Sequence, residues 1–171
     1  MECITSNDFL MSVLEADAWK EISRREPFSM EMIEKYADVI DWNEISSNGY
    51  VVWTVEGIDK FSHRINWDEF SRHCPDNLIS EATLKRFSGH WNWKIISNRD
   101  EFVKNWDSIE KFADLADWNE IINNWSIENP FGFLNRFQRY IPMAKLQNSR
   151  LWDIMVEVRA KELFKGAIGT D

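Results

Sequence analysis

The residues of this 171-residue chain best suited to nucleophilic or metal chemistry are three histidines, His63, His73 and His90, and two cysteines, Cys3 and Cys74. A zinc site or a catalytic thiol needs several such groups to converge. Only His73 and Cys74 adjoin, and no metal-type spacing links them to the rest. Plain surface or boundary histidines and two reduced thiols in a cytoplasmic setting are therefore the expectation. Carboxylates are plentiful, with 29 Asp and Glu, but a general acid–base pair needs two unequal environments, and the pattern shows no such asymmetry. No GxGxxG, P-loop or HExxH stretch occurs. The expectation is a protein with no catalytic residues, no metal and no cofactor, and hence not an enzyme.

Recognition is the other chemistry to consider. Lys35, Lys60, Arg86, Lys111 and Arg136 recur at steps of 25, 26, 25 and 25 residues. Stacked in register, such a basic ladder could track a phosphodiester backbone. Two facts weigh against it. The formal charge is −9, and Glu31, Glu56 and Asp107 stand four residues before Lys35, Lys60 and Lys111. That orientation suits helix-surface ion pairs worth about 0.2–0.5 kcal/mol each. Solvated pairs are thus favoured over a nucleic-acid track.

Aromatic residues carry a stronger signal, since the chain holds ten Trp and eleven Phe. Trp53, Trp106 and Trp125 lie in or beside variable connections, with Tyr50 and Phe102 in the same regions. Two readings are open. They can anchor a partner, as Trp and Tyr do at interface hot spots, or they can fold down over short helices and seal the core.

A repeat must position all of these. Trp19, Trp42, Trp67, Trp93 and Trp118 are 23, 25, 26 and 25 residues apart, and 25 more reach Met143. Nine residues before these anchors stand Leu10, Ile33, Ile58, Leu84, Ile109 and Leu134. Six before stand Val13, Tyr36, Phe61, Phe87, Phe112 and Phe137, and three after stand Ile22, Ile45, Phe70, Ile96, Ile121 and Leu146. Each period reads as two helices. Ser6, Ser29, Thr54, Ser80 and Asn105 are suited to cap the first helix, with an apolar stripe at −9, −6 and −2. Asp41, Asn66, Asn92 and Asp117 are suited to cap a short second helix beginning at the Trp. Glu44, Glu69 and Glu120 are placed to close a capping box on the cap's own N–H. Trp91, at −2, is expected in the core.

Such pairs cannot bury both stripes alone, so neighbouring units must stack. The expectation is an all-α chain, a right-handed α-solenoid of five to six short helix-pair repeats, forming one domain over 1–171. A helix over 6–18 would close the front, repeats would fill 19–147, and a longer helix over 149–166 would close the back. Two departures stand out: Pro130 where other units have a hydroxyl cap, and Ile122 where the first four units have Ser at +4. No apolar run reaches membrane-spanning length, and the opening MECITSNDFLMSV lacks the pattern of a signal peptide.

The phrase DWNEISSN and its copies, with Ile or Leu at −9 and an aromatic at −6, resemble the short tandem α-helical repeats of bacterial and large-DNA-virus proteins that carry a DW-x-x-[IL]-S-x-N signature. More distantly they resemble leucine-rich-repeat variants and HEAT-like solenoids. The likeness covers residues from about 6 to 147. It implies a binding scaffold, with a protein as the expected partner. A small acidic inhibitor of a nucleic-acid-handling target, such as a toxin-immunity or phage anti-defence protein, is the alternative, and a HEAT-like nucleic-acid binder the third reading.

Overall fold

Side-chain oxygens start the helices where the phrase places them. In the computed structural model, which describes residues 6–169, Asp41 accepts from the backbone N–H groups of Asn43 and Glu44. Asn66 does the same for Asp68 and Glu69, Asn92 for Ile95, and Asp117 for Asn119 and Glu120. Ser29, Thr54, Ser80 and Asn105 cap the alternate helices by accepting from Met32, Gly57, Thr83 and Ser108. Cys3 and the cap side chain expected from Ser6 lie outside the described residues. Those residues form helices with no strand: α1 Ser6–Arg25, α2 Met30–Tyr36, α3 Trp42–Ser47, α4 Val55–Phe61, α5 Trp67–His73, a 3₁₀ turn Asp76–Leu78, α6 Glu81–Arg86, α7 Trp93–Ile96, α8 Asp100–Lys104, α9 Trp106–Lys111, α10 Trp118–Asn123, α11 Pro130–Phe137, α12 Met143–Leu146 and α13 Arg150–Ile168.

The chain divides into two compact units, Met1–Leu78 with Arg86–His90, and Ile79–Lys85 with Trp91–Asp171. In the first, α3 packs between α1 and α5. Trp19 lies on Tyr36, Trp42 on Phe61 and Trp67 on Phe87, at ring separations of 5.1, 5.1 and 5.6 Å and tilts of 39–40°. In the second, Trp93 lies on Phe112 and Trp118 on Phe137 at 5.2 and 5.7 Å. Each anchor thus packs against the −6 aromatic of the following repeat, in one recurring geometry. Ile33, Ile58, Leu84 and Ile109 at −9, and Ile45, Phe70, Ile96 and Ile121 at +3, are wholly buried.

The capping box does not form as expected. The N–H of Asp41 donates to Ser23 Oγ at 3.0 Å, that of Asn66 to Ser46 Oγ at 2.9 Å, and that of Asp117 to Ser97 Oγ at 2.8 Å. The serine at +4 of one repeat therefore takes the cap N–H of the next. The freed carboxylates turn outward: Glu44 pairs with Lys20, Glu69 with Arg72, and Glu120 with Lys94 and Asn98. A buried hydroxyl from a neighbouring layer prevails because it serves a donor that the layer contact itself removes from water.

That bond also explains the departures in the last repeats. Ile122 replaces the serine where the following cap position is Pro142, which has no N–H to offer. Pro130 is not a cap. Asn129 caps instead, accepting from Gly132 N, and Pro130 occupies the first helical position, where proline is favoured. A Cβ on Gly132 would lie 2.5 Å from the Asn129 amide nitrogen, so glycine makes room for this cap. The one-residue shift moves the fully buried position from Leu134, which is half-buried, to Phe133.

Three boundaries differ from expectation. α13 runs through Gly166 to Ile168, and Gly169 takes the left-handed cap position in its place. α1 runs unbroken through Trp19 to Arg25, because Ala18 stands at the cap position and offers no side-chain acceptor. The variable stretch RDEFVK is not a loop but α8, which drives Phe102 and Val103 into the core.

Candidate functional site

The connections after α3 and α10 are each pinned from within. Asn48 is buried, and its amide donates to the carbonyls of Ser23 and Glu26 at 2.9 and 2.8 Å while its Oδ1 accepts from Tyr50 N at 2.8 Å. Asn124 is also buried; it donates to Asn98 O at 2.8 Å and accepts from Ser126 N at 2.7 Å. The final Asn of the phrase therefore ties a loop to the preceding repeat and turns the next residues outward. Tyr50 is displayed at 70% exposure and Trp125 at 76%. The role of Asn48 and Asn124 could have been sought in the sequence, since both phrases that keep this Asn are followed within two residues by Tyr50 or Trp125.

Trp125 carries the Arg150 guanidinium over its ring, 3.8 Å from the ring centre. This is a close cation–π contact. Trp106 is half-buried, with its ring edge-on to Phe133 and Phe137 at 5.5 and 5.9 Å. It separates two shallow hollows of the same unit. One, of about 470 Å³, is bounded by Glu101, Lys104, Asp107 and Arg136; the other, of about 340 Å³, is bounded by Lys104, Ser126, Glu128 and Asn129. An aromatic flanked by charged and polar groups has the make-up of an interface anchor with its rim.

Two residues expected at this edge are withdrawn from it. Trp53 is 7% exposed and packs edge-on against Phe70 at 5.0 Å, and Phe102 is fully buried on α8. Both seal the core. Phe102 shares a register with Phe28, Val51 and Ile127, each nine residues after its anchor and each buried. That +9 position was visible in the sequence, although Asp76 breaks its pattern. Trp91 is buried as expected.

The basic ladder is occupied. Lys60 pairs with Glu34 at 2.9 Å rather than with Glu56. Arg86 pairs with Asp59 at 2.7 Å. Lys111 pairs with Glu81 rather than with Asp107, and Arg136 takes both Asp107 and Glu110 at 2.7 Å. Lys35 lies over the Tyr36 ring at 5.1 Å. Position −7 adjoins the stripe that packs on the preceding repeat, so its cation reaches that repeat's helix instead of its own first turn. The Arg86 guanidinium holds the Asp59 carboxyl below its usual range, and Asp59 in turn holds Arg86 above its ordinary value. Glu110 and Asp107 raise Arg136 likewise.

Among the described residues no group of three or more His, Cys, Asp or Glu is placed to hold a metal ion. His73 sits 3.5 Å from Glu69, His90 stacks on Trp67 at 4.8 Å, His63 is exposed, and Cys74 is buried. The anchor indoles are not open stacking platforms either. Trp118 packs against Phe137 at 5.7 Å and stacks on Tyr140 at 5.1 Å and 6°. Among the described residues no helix is long and apolar enough to cross a membrane. Comparison with family models, with curated proteins and with solved structures finds no match to this chain.

Proposed function

We propose that this all-helical repeat protein is a non-enzymatic protein-binding module of the cytoplasm, built as a right-handed α-solenoid, and that its partner is anchored at Trp125. The observation that carries the reading is the display of Trp125: an exposed indole on a loop held by a buried Asn124, with Arg150 already ordered over its ring. Trp and Arg are the commonest hot-spot residues, and pre-ordering lowers the entropic cost of binding. Trp106 and its two hollows extend the surface, and Tyr50 is displayed by the same device in the first unit. The recurring contact of each anchor with the next −6 aromatic supports the solenoid. A radius of gyration near the ~15 Å of a sphere-like domain of this length would count against an extended stack.

The test is quantitative capture by tagged wild-type protein and by Trp125→Ala and Trp106→Ala, followed by calorimetry with the purified partner. Trp125→Ala should weaken binding roughly 30-fold or more while the helical circular dichroism and its melt stay unchanged. Undiminished affinity would refute the site. A net charge of −9 favours a basic partner, as the acidic-inhibitor reading requires, and affinity should then fall with added salt. The nucleic-acid reading is disfavoured because Lys60, Arg86, Lys111 and Arg136 already face carboxylates. Retarded migration of nucleic acid at low salt would reinstate it.

A further inference from the structure

Among the described residues, every arginine except Arg150 has a carboxylate at ion-pair distance. The neighbouring acids of α13 do not supply one. Glu157 hydrogen-bonds Lys161 at 2.8 Å, and its carboxyl is held low first by Lys161 and last by the charge of Arg150. Arg150 is also the first residue of α13, where the helix dipole disfavours a cation. Its Nε–H is buried with no acceptor among the described residues, and an orphaned charged donor is costly. Against these costs stands the stack on Trp125, 3.8 Å from the ring centre. A residue that breaks local rules for so little structural return is placed for something outside the fold.

We infer, resting on the anchor reading of Trp125, that the Arg150 guanidinium over its indole receives a single carboxylate of the partner protein, an Asp or Glu side chain. At this separation the guanidinium stacks on the ring, which leaves its in-plane N–H groups directed past the ring edge. The two terminal amino groups can then grip both oxygens of a carboxylate at once. Arg150 is half-buried, so such a contact is screened less than one in open water. A nucleic-acid backbone fits less well: one fork is present rather than a track of cations, and Asp153 and Glu157 follow on the same helix. The net charge of −9 acts on the rest of the partner surface. It favours one acidic residue set among basic ones.

Two blocked peptides that differ in one residue test this, one with a single glutamate flanked by lysines and one with glutamine in its place. Binding up to millimolar peptide is followed by NMR through the Trp125 indole N–H. Overall charge alone would favour the glutamine peptide, the more basic of the two, on a chain of charge −9. The Arg150 fork reverses that order, and the glutamate peptide should bind about tenfold more tightly. Arg150→Gln should abolish the preference with an unchanged helical melt. Arg150→Lys, which keeps the charge but not the fork, should recover little of it. A glutamine peptide that binds as well as the glutamate one, a preference that survives in Arg150→Gln, or no shift with either peptide overturns the inference. So does inorganic phosphate or an oligothymidylate that binds there more tightly than the glutamate peptide. Capture scores the anchor reading separately: a partner lost by Trp125→Ala but kept by Arg150→Gln would leave the anchor standing and remove the carboxylate, whereas a partner kept by Trp125→Ala would remove the anchor.

Discussion

Replacing Ser46 by Ala removes one oxygen and breaks a bond between successive repeats. Ser46 is buried; its hydroxyl donates to Trp42 O at 2.5 Å and accepts the Asn66 N–H at 2.9 Å. Without it, the part-buried N–H at the start of α5 has no partner, a loss of about 1–3 kcal/mol. Alanine's higher helix propensity offsets about 0.5 kcal/mol, so the net destabilisation should be about 0.5–2.5 kcal/mol. For a chain of this size that lowers the melting temperature by roughly 1–10 °C. Ser47 is the internal control. Its hydroxyl donates to Glu44 O at 3.0 Å within its own helix, so Ser47→Ala should stay within about 0.5 kcal/mol of wild type. Urea denaturation followed by circular dichroism gives both values, provided the slope is unchanged. Hydrogen exchange gives the local reading: the Asn66 amide should exchange faster in Ser46→Ala and not in Ser47→Ala. Equal stabilities for the two variants, or an Asn66 amide indifferent to both, would refute the inter-repeat role of the serine.

Ile122→Ser should destabilise by about 2–4 kcal/mol in the same denaturation assay, because it empties a fully buried site and its hydroxyl finds no N–H at Pro142. The swap should be better tolerated beside Pro142→Asp, and a double-mutant cycle reads that coupling. Trp53→Ala should cost about 3–5 kcal/mol as a core truncation, whereas Trp125→Ala should leave the melt unchanged. For Asp59, the folded carboxyl titrates below its usual value because of Arg86. The pair's contribution is thus present above the unfolded carboxyl's range and lost as pH falls through the folded one. An NMR titration should show the Asp59 midpoint rising towards the ordinary range in Arg86→Gln, with no change expected near neutral pH.

Local chemistry was the legible part of this sequence. Cap residues such as Asp41, Asn66 and Asp117 act within three residues of themselves, so spacing alone identifies them. The buried stripe at −9 and +3 follows from helical periodicity for the same reason. Misreadings arose where two segments distant in sequence compete for one group. Glu44 has the spacing of a capping-box acid, but Ser23 comes from 18 residues away and takes the N–H of Asp41. Lys60 has Glu56 at the favourable spacing, yet Glu34 of the preceding repeat is its partner. At the candidate site, Trp53 and Trp125 looked alike in the sequence, since both lie in or beside a variable connection. They part because Asn124 turns the chain outward just before Trp125, whereas Trp53 lies beyond its loop's bend and falls back onto Phe70.

The pairing of Ile122 with Pro142 bears on how such a chain can lengthen. A gene of tandem copies grows by duplicating whole periods, and each new joint must offer a hydroxyl to a cap N–H. Duplication of a period that joins Ser23 to Asp41, Ser46 to Asn66 or Ser97 to Asp117 supplies that joint ready-made, because serine and N–H are copied together. At the Ile122–Pro142 joint neither half fits the common copy: a serine there would meet a residue with no N–H, and an Asp or Asn cap would meet a methyl group. One joint in the array is therefore closed to ordinary copies, so growth is confined to the side where the phrase is intact.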